Sequence, residues 1–380
     1  MTNRKKNICV FSTSRSDYYL LSKITKELKN SNKVNLYFVA TGNHFDKKKG
    51  NTYRDIQKDK IKIDFKIPYD LKKNNSSIII DEMKNSIGSI KKILIKTKTN
   101  LVFLLGDRYE LLPIVTVALI LGIPIAHAHG GEVTEGAFDD AIRHAVTKMS
   151  NLHFVCNEVY KKRLVQMGES PKSIFNVGGI GAELIFQQNF ISKKKIYEKY
   201  NLDKKKELIL VLIHPETNNQ SENFSGLFLA LSAFFSKFNI IFTAPNSDPG
   251  SNIIEDQIQK FVKKYDSICV KNLGGNLFHS VMKLSKFVIG NSSSSILEAP
   301  SLKTPSIDIG NRQKGRLKSN SIISCDHSSK SIHKAINRIL KKKISFSKNY
   351  YQNKKARKKI LKIINEINLN EIKVKKFNDI

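Results

Sequence analysis

The sequence predicts an α/β fold made of two Rossmann-like, doubly wound domains that face each other across a cleft, and three observations predict it. Short apolar runs of strand length alternate with segments whose apolar residues recur at helical spacing, the mark of strand-helix-strand units with parallel strands. The alternation closes at the glycine pair Gly178-Gly179 and begins again at Glu207, so the pattern is doubled. The chain of 380 residues also exceeds what one hydrophobic core usually holds. We read residues 1–180 as the first domain, 181–352 as the second, and 353–380 as a C-terminal helix packing back on the first.

In chain order, Ile8 to Phe11 reads as a strand, Ser12 to Asp17 as a polar loop and Tyr18 to Lys29 as a helix. Val34 to Ala40 is the second strand, ending at Thr41-Gly42-Asn43-His44; Gly50 to Asn75 is polar, Lys-rich and poorly periodic. Ile78 to Lys96 has helical spacing. The central unit follows: the strand Leu101 to Leu105, an apolar helix bounded by Pro113 and Gly122, and the strand Ile123 to Ala126, which ends at His127. Asp139 to Met149 is a helix whose acidic pair Asp139-Asp140 suits the exposed amides of its first turn. Strands and helices then alternate through Leu152–Cys156, Glu158–Met167 and Ile174–Val177. In the second half the strands are Glu207–Ile213, Ile240–Ala244, Ile268–Lys271, Phe287–Ile289 and Pro305–Ile309, with helices over Leu227–Phe238, Ile253–Lys264 and Leu277–Leu284. Asn353 to Ile367 is the last helical run.

Composition excludes several classes. The net charge of +32 permits nucleic-acid binding, but the lysines lie all along the chain with no interleaved aromatic platform. Runs such as Lys47–Lys49, Lys193–Lys195 and Lys204–Lys206 read as solvated faces, and no nucleic-acid partner is expected. The longest apolar stretch, Leu111 to Ala126, is broken by proline and glycine and is shorter than the ~20 residues of a membrane span. Cys9, Cys156, Cys269 and Cys325 are far apart with no CxxC spacing, so neither a disulfide framework nor a zinc site is indicated, and a cytoplasmic protein is expected.

Ligands of doubly wound sheets collect outside the carboxyl ends of the strands. There the central unit places Asp107, Arg108 and Glu110, then His127, His129 and Glu132. With Asp139, Asp140, Arg143 and His144 these supply carboxylates and imidazoles whose proximity would push their pKa values apart, as acid and base roles require. A capped helix with a surface ion pair is the alternative for the helical members. His127-x-His129 resembles a ligand pair, but alternate strand residues point to opposite faces, and no metal is expected. In the second half, Gly290 to Ser295 follows a strand and opens a helical segment, Ile296 to Ala299. Its amides and hydroxyls suit a diphosphate, with Glu298, Arg312 and Arg316 close behind; an unliganded serine-rich cap is the alternative. His214 to Thr217 and Pro245 to Asp248, which includes Asn246, end the first two strands of that half at the same edge. A single His there is as readily structural as ligand-binding.

Taken together, GDRYE (106–110), HAHGGE (127–132), DDAIRHAVTKM (139–149), HPET (214–217), GNSSSSILEAPS (290–301) and GNRQKGR (310–316) resemble the hydrolysing UDP-N-acetylglucosamine 2-epimerases, in order along nearly the whole chain. The resemblance implies a glycosyltransferase-B arrangement, no metal or redox cofactor, a UDP-sugar substrate, a homo-oligomer, and release of the 2-epimeric sugar plus UDP for sialic acid-type synthesis. Close relatives act on a UDP- or GDP-linked 2,4-diacetamido-2,4,6-trideoxyglucose. It implies that Asp107 and Asp139 are catalytic, with Arg143 beside the diphosphate or sugar, and that Arg15, His214, Ser292, Ser293, Glu298 and Arg312 hold the UDP. Asp17 and Asn246 join the substrate-binding set, His129 and Glu132 the catalytic one. Many members have Glu where this chain has His129, so either His129 or Glu132 takes the proton-transfer role. Many also have HPVTT where this chain has His214 to Asn218, which bears on the sugar accepted. A glycosyltransferase of the same architecture is the alternative activity.

Overall fold

The computed structural model describes residues 5–45, 52–70, 76–186, 188–216, 224–246, 248, 250–346, 349–353 and 355–379. Lys47–Lys49, Thr217, Asn218 and Ser247 lie outside these. The strands are β1 (Lys6–Ser12), β2 (Val34–Gly42), β3 (Phe65–Pro68), β4 (Leu101–Leu105), β5 (Ile125–Ala128), β6 (Leu152–Val155), β7 (Ile174–Asn176), β8 (Glu207–Leu212), β9 (Phe238–Thr243), β10 (Ile268–Val270), β11 (Ser285–Gly290), β12 (Ser306–Ile309) and β13 (Ile322–Cys325). They form two sheets, of order β3-β2-β1-β4-β5-β6-β7 and β10-β9-β8-β11-β12-β13. Every recorded pairing is parallel. In each sheet the order reverses beside its first strand, between β1 and β4 and between β8 and β11. Ligands of such sheets settle at that reversal.

Two compact units contain these sheets. One comprises Met1–Glu132, Asp139–Glu183 and Asn353–Ile380; the other comprises Val133–Phe138 and Leu184–Gln352. The strands are continuous apolar runs because both faces of a parallel sheet are covered. Along β8, Ile209 and Val211 enter one core with Phe242 and Ile289, while Leu208, Leu210 and Leu212 enter a second with Met282 and Val288. In the first unit Ile360 and Ile364 of the helix Ala356–Glu366 join Ile8, Val10, Phe103 and Phe154 in one core. No helix of the described residues is long and apolar enough to cross a membrane.

Several boundaries depart from the pattern reading for identifiable reasons. The first helix spans Arg15–Lys29 because Ser14 caps it, its hydroxyl accepting from the Asp17 amide. β5 begins at Ile125 and not Ile123, since Pro124 has no N–H to give the ladder, and His127 therefore lies inside the strand. The helix expected over Leu227–Phe238 is Ser225–Ser232; turns at Leu231 and Phe234 then end it, and Phe238 starts β9 opposite Glu207. The polar stretch after Gly50 contains the helix Tyr53–Lys58 and β3, a four-residue edge strand burying Ile67. The helical segment expected over Ile296–Ala299 is one turn, Ser294–Leu297, followed by a 3₁₀ turn at Ala299–Leu302. β13 and the helix Ser329–Lys341 were not anticipated.

Candidate active site

In the first unit, the carboxyl ends of β4, β5 and β6 bring charged side chains together through one arginine. Arg143 is 1% exposed, on the helix Asp139–Met149. Its Nε donates to Asp107 Oδ2 at 3.1 Å, where its Nη2 also bonds, and its Nη1 donates to the Glu132 carbonyl and to Asp140 Oδ1, both at 2.9 Å. Burying a guanidinium is costly unless carboxylates and carbonyls surround it, so this residue fixes the Gly106–Arg108 loop, Glu132 and the helix start as one body. Asp139 lies buried at that helix start, one residue before Asp140. His144, one turn on, is 3.6 Å from Asp140.

His129 and Glu132 are hydrogen-bond partners, Nδ1 to Oε1 at 2.9 Å. His129 has a left-handed backbone, φ +67°, held by its N–H bond to the Phe154 carbonyl at 2.9 Å. A non-glycine residue in that region stores strain, which concentrates at functional sites. Gly131 (φ +78°) completes the turn, since a Cβ there would strike Leu164 and Tyr160. With Glu132 ionised, Nδ1 is the donor and Nε2 is left as the basic nitrogen. Cys156, directly after β6, closes the group: its Sγ lies 3.3 Å from His129 Nδ1 and 3.4 Å from Glu132 Oε1.

His127 is not a reactive group. It is wholly buried, Nε2 donating to the Gly106 carbonyl at 2.7 Å and Nδ1 accepting from Thr147 Oγ1 at 3.2 Å. Burial pushes its pKa down to about 3 despite the carbonyl bond, so it is a neutral strut, and a His127/His129 metal pair is ruled out by those bonds. At the neighbouring end of β1, Arg15 begins the first helix, and Asp17, buried, accepts from Thr13 Oγ1. Burial raises the Asp17 carboxyl, and does the same to the fully buried Glu110, which accepts from Arg108 Nε at 3.3 Å and Asn43 Nδ2 at 3.4 Å.

In the second unit, the reversal between β8 and β11 is tied by Asn291. Its Oδ1 accepts from the His214 N–H at 2.8 Å and its Nδ2 donates to the His214 carbonyl at 2.9 Å. His214 Nδ1 accepts from the Asn246 N–H at 3.1 Å, so the neutral ring carries its proton on Nε2 and can donate from it. Asn246 Nδ2 bonds buried Asp248. Gly290 (φ +144°) must be glycine, because a Cβ would overlap the Leu212 carbonyl. Ser292 and Ser293 follow, and the Ser292 hydroxyl accepts from the Ser294 amide at 3.4 Å. The Asn291 carbonyl takes Arg312 Nη1 at 3.3 Å and Gln313 Nε2 at 2.9 Å, which sets the arginine beside the serine turn. Glu298 accepts from His279 Nε2 at 3.1 Å, and His279 Nδ1 accepts from Gln188 Nε2 at 2.6 Å.

The structure thus gathers Asp107, His129, Glu132, Asp139 and Arg143 at one edge, and His214, Asn246, Ser292, Ser293 and Arg312 at another. Sequence reasoning missed Cys156, Asn291, His279 and Gln188. Asn291 was legible as the residue after the turn glycine; the others gave no signal, lying far from their partners along the chain.

Two Rossmann-ordered units with polar groups at the reversal of each define the class, a glycosyltransferase-B-like fold. The profile described as UDP-N-acetylglucosamine 2-epimerase matches residues 26–365, and the chain belongs to that family. A GDP/UDP-N,N'-diacetylbacillosamine 2-epimerase (hydrolyzing) of Campylobacter jejuni is 38% identical over 326 residues, 85% of this chain and 85% of that protein. A UDP-N,N'-diacetylbacillosamine 2-epimerase (hydrolyzing) of Legionella pneumophila is 32% identical over 377 residues, 98% of this chain and 99% of that one. The crystal structure of UDP-GlcNAc 2-epimerase from Neisseria meningitidis bound to UDP-GlcNAc shares the fold, with a TM-score of 0.81 at 18% identity over 94% of this chain and 99% of that one.

Proposed function

We propose that the protein is a hydrolysing 2-epimerase of a nucleoside-diphosphate 2-acetamido sugar, with UDP- or GDP-2,4-diacetamido-2,4,6-trideoxyglucose ahead of UDP-N-acetylglucosamine as substrate. The observation that carries the chemistry is the His129–Glu132 pair, buried and hydrogen-bonded next to Arg143-held Asp107. The order of substrates follows the names of the relatives at 38% and 32% identity, each matched over at least 85% of this chain.

In this reading the second unit holds the nucleotide diphosphate: the Ser292–Ser293 amides, Arg312 and His214 Nε2–H supply donors to an anion. Glu298 and Asn246 are assigned to the nucleoside, and Asp17 to keeping the Arg15 turn in place. The C2 hydrogen of an acetamido sugar is not acidic, so the C1–O bond breaks with or before its removal. The bond pair leaves with the diphosphate, the C2 proton passes to a base, and a C1=C2 glycal remains. Water then gives its oxygen to C1 while C2 takes a proton on the opposite face. Two proton-handling groups are needed, with His129, through Nε2 backed by Glu132, and Asp107 or Asp139 filling the roles. That none of the four cysteines is disulfide-bonded supports work in the reducing cytoplasm.

Proton and carbon NMR of reactions run in deuterated water with each candidate sugar nucleotide tests the proposal. Free 2-epimeric sugar carrying deuterium at C2, with release of the nucleoside diphosphate, is expected from enzyme alone. Turnover that requires an acceptor and returns no free sugar would establish a glycosyltransferase instead.

A further inference from the structure

We propose that His129, Glu132 and Cys156 form a binding site for a thiophilic divalent cation, with Zn²⁺ as the fitting ion. Their three donor atoms, Nδ1, Oε1 and Sγ, are separated by 2.9, 3.3 and 3.4 Å. Zn–N and Zn–O bonds of about 2.0–2.2 Å and a Zn–S bond of about 2.3 Å, at tetrahedral angles, give donor separations of roughly 3.4–3.6 Å. The triangle is therefore one face of a zinc tetrahedron drawn in by a few tenths of an ångström. The fourth position is left to water or a substrate oxygen, as in zinc sites that stay reactive.

The chemistry of the donors selects the ion. A thiolate and an imidazole favour zinc over magnesium or calcium, which prefer all-oxygen shells. A thiolate plus a carboxylate also cancels the charge of a dication, which matters where Glu132 is 1% and Cys156 2% exposed. The scaffold is fixed beforehand: the Glu132 carbonyl is held by Arg143, the His129 amide by Phe154, and Cys156 follows β6, whose Val155 carbonyl accepts from the Val177 amide at 3.0 Å. His129 reaches the surface with 10% of its side chain, which gives the ion a way in. On binding, bonds form from the metal to Sγ, Nδ1 and Oε1. The thiol proton leaves to solvent, and the imidazole proton moves from Nδ1 to Nε2.

Occupancy would remove the base of the reaction, so zinc inhibits turnover; that consequence rests on the function proposed above, whereas binding does not. The test is titration of the full chain with Co²⁺ alone, then displacement by Zn²⁺. One equivalent is expected to give a thiolate-to-cobalt charge-transfer band with the visible bands of four-coordinate cobalt. Cys156→Ser should abolish the charge-transfer band and weaken zinc at least about tenfold, the lower end of what even an outer-shell change costs. Glu132→Gln, which keeps the side chain's shape, should weaken zinc without removing that band. No band in the wild type, or unchanged zinc affinity in Cys156→Ser, overturns the site. A band with turnover insensitive to zinc leaves the site standing and overturns the His129–Glu132 role instead.

Discussion

The two units share a strand order and a place where that order reverses, yet their edges differ in kind. At the first edge carboxyl, imidazole and thiol groups gather: Asp107, His129, Glu132, Asp139 and Cys156, with Glu110 and Asp17 buried nearby. At the second, amides and hydroxyls lead, with Asn291 and Asn246 bonded to His214, Ser292 and Ser293 following Asn291, and Arg312 docked on a carbonyl, while the carboxylates Glu216, Asp248 and Glu298 are each tied to an amide or imidazole. In the function proposed above, the same scaffold carries proton transfer in one copy and anion holding in the other. Fold sets where a site lies, and side-chain chemistry sets what it does.

Asp107→Asn breaks the comparison hardest. Turnover should fall by ~10²–10⁴, the usual cost of a lost acid or base, while UDP binds with near-native affinity in calorimetry. Arg143 keeps Asp140 and the Glu132 carbonyl as partners in that variant. Near-native turnover would move the proton chemistry away from the first edge. Arg312→Ala is the mirror experiment: loss of one charged hydrogen bond, roughly 1.5–3 kcal/mol, should weaken UDP about ten- to a hundredfold. Unchanged affinity would remove Arg312 from the diphosphate.

The smallest effects are on stability, and their pH dependence separates the two edges. His127 is held neutral in the folded chain, its pKa lowered by burial to about 3, whereas the unfolded chain takes a proton near the ordinary value. Its contribution is therefore complete above about pH 6.5 and is lost as pH falls toward 3, at up to ~1.4 kcal/mol per pH unit. In urea unfolding, His127→Gln should be destabilised at pH 8, with the gap to wild type narrowing below pH 6.5. Asn291→Ala leaves buried backbone groups of His214 unpaired, at a cost of about 1–3 kcal/mol. Asparagine does not titrate, so that gap should stay constant over the same range. A constant gap for His127→Gln would mean that its ring is charged or wetted in the native state.

Much of this fold was legible because buried parallel strands leave unbroken apolar runs such as Leu101 to Leu105, which the structure reproduces as β4. Errors arose where apolar character continued past an element. Ile123-Pro124 extended the expected β5 backward, and Phe238 extended a helix into the following strand. At the site, motif order pointed to Asp107, His129, Glu132 and Asp139, but left open whether His129 or Glu132 served as the base. The 2.9 Å bond between them makes that a question about one pair.

By itself the sequence determined the kinds of element, their doubled alternation and the motifs that mark the family, because each depends on neighbours within a few turns of chain. The tertiary structure alone decided which groups share protons. Cys156 meets His129 across 27 residues and Asn291 meets His214 across 77. Such meetings arise because parallel crossovers set β4, β5 and β6, and β8 with β11, side by side with their carboxyl ends aligned. Burial at those ends made His127 a strut bonded to the Gly106 carbonyl and paired its neighbour two residues on, His129, with Glu132.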